Sequence, residues 1–354
     1  MTEPRFPNPE SLRDDLVTIV IPARNEEDFI GRCLDSVLAQ TEENLQVIVV
    51  DGASTDRTAD IVRSYMERDE RVELHQNPDA ITPKSLNVGL EATKGKWFVR
   101  VDAHAAVPPD YVKRTVHHLR TGNWGGVGGR KDGVGVTVPG RAIAAAMASK
   151  FGVGNSLYHY GTEVQTTDHI PFGAYDTSVL IELEGWDERL VTNQDFELDY
   201  RLRQLGKTLL FDPDIAIEWH SRQTVVGLFR QYRRYGRGKA DVARLHPESV
   251  ELRHLAAPAL VGSWAVALPL LKRYPKFGAA VLVPYAAALT VATILTSRKL
   301  RDPQAKALVA PSFAAMHVGW GIGFWEGLIK NPRRLPALRL RRLFDRKDGS
   351  GRKE

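Results

Sequence analysis

The sequence predicts an α/β fold: a mostly parallel, Rossmann-like sheet, followed by apolar helices of membrane character. Three observations carry this. Residues 17–21 (VTIVI) and 46–50 (QVIVV) are short, β-branched and unalternating, as strands buried on both faces are. Apolar residues recur at helical spacing between and after them, so strand and helix alternate. From about residue 255 the composition turns almost wholly apolar.

Taken in order, residues 1–15 are a polar, proline-bearing N-terminal extension without the pattern of a signal peptide. After strand 17–21, residues 27–40 read as a helix whose Phe29, Ile30, Cys33, Leu34, Val37 and Leu38 form one stripe. Asn25 suits its N-cap, with Asp28 three residues on. Cys33, the single cysteine, excludes a disulfide framework and reads as core filler. Strand 46–50 leads to a helix over 57–67, then strand 71–74, a helix over 83–93 and strand 97–101. This order gives a parallel sheet with right-handed crossovers, which binds ligands at the carboxyl ends of its strands. Residues 22–26 (PARNE), 51–56 (DGASTD) and 102–104 (DAH) follow strands one, two and four, and are expected to meet on one rim.

Residues 122–135 are glycine-rich but fit no phosphate-binding loop, and no G-x-G-x-x-G follows the first strand. They read as a flexible connection around a short strand. Further on, 255–271 and 277–297 are apolar, separated by the basic connector 272–276, and 307–329 is apolar apart from His317 and Glu326. A bilayer takes roughly 20 residues to cross. The middle run meets that length, whereas Pro258 and Pro269 weaken the first. Every connector is basic, so charge bias does not decide between two and three crossings. Two crossings plus one interfacial helix keep the tail cytoplasmic. The expected organisation is an extension over 1–15, a catalytic domain over 16–245, a membrane region over 250–330 and a basic tail over 331–354.

The formal charge is +5, yet residues 330–354 alone carry ten Lys or Arg against three acids. The main body is therefore slightly acidic, which excludes a nucleic-acid partner. A basic tail after apolar segments suits an anionic membrane surface.

Asp102 and His104, one residue apart at a strand end, point to the same side, and both can ligate Mn²⁺ or Mg²⁺. Asp51 can accept hydrogen bonds from a base or ribose, with small neighbours that allow close backbone approach. Thr55 and Asp56 read mainly as caps of the following helix. Three carboxylates sit near a helix start at Asp195, Glu197 and Asp199. Asp199 lies one turn from Asp195 on the same face, and Glu197 points elsewhere.

The stretches VTIVIPARNEEDFIGRCLDSVLAQ, VVDGASTDRT, RVDAHAAV, NQDFELDYRLRQLG and QYRRYG occur in order over roughly residues 15–240. In these the chain resembles glycosyltransferase family 2, most nearly the succinoglycan-type exopolysaccharide enzymes. The resemblance implies a GT-A fold, a nucleotide-sugar donor, a divalent cation and inversion at the anomeric carbon. It implies that Pro22, Ala23, Asn25 and Glu26 line the nucleotide pocket together with Lys84, that Asp51 binds the base, and that Asp102 contacts ribose or metal. His104 stands where the family usually has a second Asp. Asp195 matches the catalytic base, preceded by Gln194 in place of an acid, and Asp199 is the second choice. Gln231, Arg234 and Tyr235 resemble the Q-x-x-R-W signature of acceptor and diphosphate contacts, without its Trp.

A cation held by Asp102, His104 and His220 would stabilise a departing diphosphate. His220 ends another strand-like run, Ile215–Trp219, and reads equally as a surface histidine. Arg237 joins Arg234 as a positive charge for the diphosphate, or else both lie on a solvated helix face. Gly173 in IPFGAY lets an acceptor approach the backbone. Trp186 either stacks on a sugar or belongs to the core.

The function expected is transfer of a hexose from a UDP-sugar to a polyprenyl-linked saccharide, at the cytoplasmic face of the inner membrane, in surface polysaccharide assembly. Membrane lipid is the second partner. A nucleotidyltransferase would need a basic, glycine-rich loop after the first strand, which is absent. A non-catalytic nucleotide-sugar-binding membrane protein would not need Asp195.

Overall fold

The computed structural model describes residues 4–330, so the basic tail 331–354 lies outside the described residues. The described residues form two compact units: 4–134 with 155–221, and 135–154 with 222–330.

The first unit opens with the predicted alternation: β1 (Arg13–Ala23), α1 (Ile30–Leu38), β2 (Leu45–Asp51), α2 (Thr58–Met66), β3 (Val72–Gln76), α3 (Thr82–Glu91) and β4 (Gly95–Arg100). β1 lies parallel between β2 and β4, and β2 pairs with β3. All seven residues of β2 are buried, as an interior parallel strand requires. α1 turns Ile30, Cys33, Leu34 and Val37 inward. The register sets Ala23 opposite Asp51, and Arg100 opposite Val20, near the carboxyl ends of three neighbouring strands.

The chain continues through β5 (Ala105–Ala106), α4 (Tyr111–Thr121) and β6 (Trp124–Val134). α5 (Val138–Met147) and α6 (Lys150–Val153) belong to the second unit. β7 (Gln165–Thr167), β8 (Ala174–Asp176), α7 (Thr177–Glu182), α8 (Gln194–Gln204) and β9 (Thr208–His220) complete the first. The sheet order is β3-β2-β1-β4-β8-β6-β9-β5, with β7 also on β9. This second half is mixed: β8 runs antiparallel to β4 and β6, whereas β6 and β9 are parallel. A core of Val20, Ile48, Leu86, Phe98, Tyr175, Trp186, Leu198 and others fills one face.

The glycine-rich segment is not a flexible connection. It is the eleven-residue strand β6, and its glycines make room for close neighbours. A methyl on Gly128 would meet the Ile170 side chain at 2.6 Å, and one on Gly129 the Ile215 carbonyl oxygen at 1.6 Å.

The second unit continues with α9 (Val225–Leu245), α10 (Leu252–Leu270), α11 (Pro275–Ser297), α12 (Pro303–Ala307) and α13 (Val309–Lys330). α11 and the segment Pro303–Lys330 are long and apolar enough to cross a membrane. α10 holds Pro258 and Pro269 within its span.

Gly129→Ala is expected to destabilise the first unit by about 3 kcal/mol through overpacking. At roughly 2–4 °C per kcal/mol, the melting midpoint falls by about 10 °C. Gly31→Ala is the control, since its methyl would meet only the Tyr65 hydroxyl at 3.6 Å. It is expected to leave the midpoint unchanged or raise it.

Candidate active site

The loops after the first two strands are stitched together by side chains. Asn25, at φ 53°, donates its backbone N–H to Ser54 Oγ at 2.9 Å and accepts Thr55 N–H on Oδ1 at 2.8 Å. Glu26 N–H donates to Thr58 Oγ1 at 2.8 Å, and Asp56 accepts Thr58 N–H at 3.0 Å at the start of α2. Asp51 is buried, its carboxylate facing the Ser54 N–H at 3.3 Å. Gly52 N–H donates to the Ala23 carbonyl at 2.7 Å, which fixes the two strand ends.

A third segment joins this rim. Asn77, fully buried after β3, donates its N–H to the Asp51 carbonyl at 2.8 Å, and Arg24 Nη1 reaches the Ala80 carbonyl at 3.3 Å. The turn residues Asn77-Pro78-Asp79 announced a turn but not its place on the rim. Lys84, in the first turns of α3, is ion-paired with Asp79 of this segment.

At the end of β4 lies the charge cluster. Arg100 is 6% exposed. Its Nε donates to Asp102 Oδ1 at 3.0 Å and its Nη1 to Asp195 Oδ1 at 2.5 Å. Burial opposes the Arg100 charge, but Asp102 and Asp195 outweigh it and raise its pKa. Trp186 Nε1 donates to the same Asp195 oxygen at 3.2 Å. Trp186 is 2% exposed and packs on Phe98 and Tyr175, so it is a core residue that touches the site.

Of the three carboxylates on α8, only Asp195 remains half-open. Glu197 is locked to Arg201, with Nε to Oε1 at 2.7 Å and Nη2 to Oε2 at 2.9 Å. Asp199 is fully buried and accepts from Ile170 N–H at 2.9 Å and Tyr175 Oη at 3.4 Å, with His169 Nδ1 at 2.7 Å. Burial pushes its carboxyl above the ordinary value, and the His169 contact opposes that shift. Asp199, the second choice of base, is thus a buried acceptor within the fold, and Asp195 is the more open carboxylate.

His104 Nδ1 lies 3.1 Å from Glu26 Oε1, which joins the first and fourth loops. Burial disfavours its charge, but the Glu26 hydrogen bond and the charges of Asp102 and Glu26 raise its pKa above the usual value. His220 ends β9, with its Nε2 3.5 Å from Arg32 Nη1. Among the described residues no three His, Cys, Asp or Glu side chains gather closely enough to hold a metal. Asp102 turns to Arg100, His104 to Glu26, and His220 to Arg32. The donor set of Asp102 and His104 nonetheless fits a divalent cation. With Nδ1 engaged by Glu26, the imidazole keeps Nε2 for a ligand.

Gly173 belongs to the packing around Tyr175: a methyl there would lie 2.3 Å from the Tyr175 hydroxyl. Its carbonyl accepts the Arg100 N–H at 3.2 Å. In the second unit, Gln231 Nε2 donates to Tyr235 Oη at 2.9 Å along α9. Arg233 and Arg237 are both paired with Glu326. Arg234 is exposed and makes no ion pair among the described residues.

The family model for glycosyl transferase family 2 matches residues 18–180. Succinoglycan biosynthesis protein ExoA of Rhizobium meliloti (strain 1021) is 30% identical over 330 residues, 90% of this chain and 96% of that protein. Dolichyl N-acetyl-alpha-D-glucosaminyl phosphate 3-beta-D-2,3-diacetamido-2,3-dideoxy-beta-D-glucuronosyltransferase of Methanococcus voltae is 27% identical over 240 residues, 65% of this chain and 74% of its own. Mannosyltransferase PcManGT of Pyrobaculum calidifontis, solved with GDP-Man and Mn²⁺, superposes with a TM-score of 0.57 at 22% identity, over 88% of this chain and 89% of its own. S. aureus TarS 1–349, solved with UDP, does so with a TM-score of 0.50 at 17% identity, over 86% and 90%. With the family model over residues 18–180 and the match to ExoA over 90% of the chain, the chain belongs to glycosyltransferase family 2.

Proposed function

We propose that this enzyme is an inverting glycosyltransferase that moves a hexose from a UDP-sugar to a polyprenyl-linked saccharide in surface polysaccharide synthesis. The observation that carries the reading is the carboxylate Asp195, tethered through Arg100 to Asp102 at the end of β4. The names of the relatives support the pathway and the donor class: one acts in succinoglycan biosynthesis, and two solved structures hold a nucleotide-sugar or a nucleotide.

Each residue then has a stated task. The loops at 22–26, 51–54 and 77–81 receive the nucleotide, and Asp51 accepts from its base or ribose. Arg100 and Trp186 both bind Oδ1 of Asp195, which leaves Oδ2 without a partner among the described residues. Oδ2 takes the proton from the acceptor hydroxyl as its oxygen bonds to the anomeric carbon. The bond from that carbon to the diphosphate breaks on the opposite side, and the nucleoside diphosphate leaves with the electron pair. One guanidinium shared by two carboxylates leaves the cluster with net charge −1. A divalent cation on Asp102 and His104 would supply positive charge for the leaving diphosphate. That PcManGT was solved in complex with GDP-Man and Mn²⁺ supports this. The apolar C-terminal helices hold the enzyme at the cytoplasmic face of the inner membrane.

Thermal-shift titration with a panel of nucleotide-sugars, with and without Mn²⁺, tests the reading. A UDP-hexose is expected to raise the melting midpoint more than other donors, and no stabilisation by any nucleotide-sugar would sink the proposal. Asp195→Asn is expected to lower transfer by at least about 10²–10⁴-fold, the usual worth of a general base. Nucleotide affinity should stay within about twofold in that variant; equal loss of both would remove the base assignment. Asp102→Ala and His104→Ala are each expected to weaken Mn²⁺-dependent nucleotide binding about tenfold or more, the scale of losing a metal ligand's support. Transfer undiminished by excess EDTA would eliminate the cation.

A further inference from the structure

We propose that the second unit is a monotopic membrane platform: α10 and α11 lie along one leaflet of an anionic bilayer, and no described helix crosses it. This rests on the membrane association proposed above and gives it a geometry.

α13 has the length and hydropathy of a span, yet half of its most apolar stretch is buried in protein, against 6% for α11. It runs parallel to α9, with Gly319 on Phe229, Gly323 on Arg233 and Gly327 on Arg237. A methyl on Gly323 would sit 1.9 Å from the Arg233 carbonyl oxygen, so the two backbones touch. Glu326 accepts from Arg233 Nε at 2.9 Å and from Arg237 Nε at 2.5 Å, and Arg244 reaches the Gly327 carbonyl. α9 is no lipid-facing helix: it carries Arg230, Arg233, Arg234, Arg237, Lys239 and Arg244, with Arg230 and Arg234 exposed. If α13 stood upright in a bilayer, it would carry the first turns of α9 and their charges into hydrocarbon.

α11 is tied to α13 at its middle. Tyr285 Oη lies 3.0 Å from His317 Nδ1, and His317 Nε2 donates to the Phe151 carbonyl at 2.8 Å. An upright crossing would set Tyr285 at the bilayer midplane, about 15 Å from either headgroup layer, and His317 and Phe151 with it. α10 is tied in the same way. Trp325 Nε1 donates to the Pro258 carbonyl at 2.9 Å, and the Trp264 ring packs on Tyr285 at 5.2 Å. Beyond Trp264 only six residues of α10 remain. At 1.5 Å each they reach about 9 Å, which is short of one leaflet.

Charge selects the same arrangement. Lys272, Arg273 and Lys276 flank one end of α11, and Arg298, Lys299 and Arg301 the other. Upright, α11 would place one triplet beyond the far headgroups, against the positive-inside bias. Lying flat, it sets both triplets on one anionic headgroup layer. Val266, Leu268, Phe277, Val283, Val291 and Ile294 are then the exposed side chains that enter the acyl region.

The test uses the full chain with Cys33→Ser and a single new cysteine, Tyr274→Cys or Lys299→Cys, one beside each triplet. A membrane-impermeant maleimide is applied to inverted membrane vesicles and to spheroplasts, with detergent-solubilised protein as the reactivity control. Both sites are expected to label at least tenfold faster in inverted vesicles than in spheroplasts. Labelling of either site from the spheroplast side would show a crossing and overturn the proposal. A site that labels only in detergent would lie within hydrocarbon and overturn it equally. Recovery of the protein in the soluble fraction after lysis would remove the membrane reading itself, a different failure.

Discussion

One buried guanidinium organises the catalytic unit. Arg100 reaches Asp102, two residues on, and Asp195, ninety-five residues on, and so joins the tip of β4 to the start of α8. Removing one partner of such a buried pair costs about 3–5 kcal/mol, because the remaining charge is left unmatched in a poor solvent. The arrangement around it is correspondingly determined. Gly173 offers its carbonyl to the Arg100 backbone, the Phe172 ring lies 5.6 Å from the guanidinium, and Trp186 adds a second donor to Asp195. Trp186 is held in turn by Asn87, whose Oδ1 accepts its N–H at 2.8 Å. Arg201 binds the carbonyls of Leu183 and Gly185 just before it. The Asp195 carboxylate is therefore oriented by residues drawn from α3, β4, α8 and the loop before α8.

The rim formed by the segments after β1, β2 and β3 is built on backbone strain. Asn25, Ala53 and Ala80 follow β1, β2 and β3, and all three adopt φ of 53–55°. Left-handed backbone at non-glycine residues costs of order 1–3 kcal/mol each and persists only where surroundings enforce it. Here the enforcement is visible as hydrogen bonds from one loop to the next: Asn25 with Ser54 and Thr55, Asn77 with Asp51, and Arg24 with Ala80. Three loops that bind one another present a preformed surface, and less ordering remains when a ligand arrives.

The second unit shows why hydropathy and position must be read together. α11 and α13 are similarly apolar, but their surroundings are opposite. α11 exposes its side chains nearly throughout, whereas glycines at every fourth residue of α13 bring it against the backbone of a strongly basic helix. Glu326, which interrupts the apolar run of α13, is the partner of two arginines of α9. That pairing also sorts the arginines in and just after the QYRRYG run: Arg233 and Arg237 are committed to packing, and Arg234 is left exposed.

The early alternation of strand and helix was legible because parallel strands and amphipathic helices each impose a local period, and β1 through β4 follow it. The link from Asp102 to Asp195 had no local signal, since a carboxylate at a helix start looks the same whether it is a base or a cap. Three features had no local signal. The glycines of β6 looked like a linker because the side chains that need their space, those of Ile170 and Ile215, arrive from far along the chain. Asp199 and Asp195 were equivalent by spacing until His169, Ile170 and Tyr175 closed around one of them. Arg100 read as one more residue of a buried strand. Composition and periodicity by themselves determined the α/β order and the apolar C-terminal region, and the order of five motifs carried the resemblance to the family. Tertiary structure alone decided which carboxylate stays available, what Arg100 joins and which apolar helix is core, because each of these depends on contacts between segments that no local period encodes.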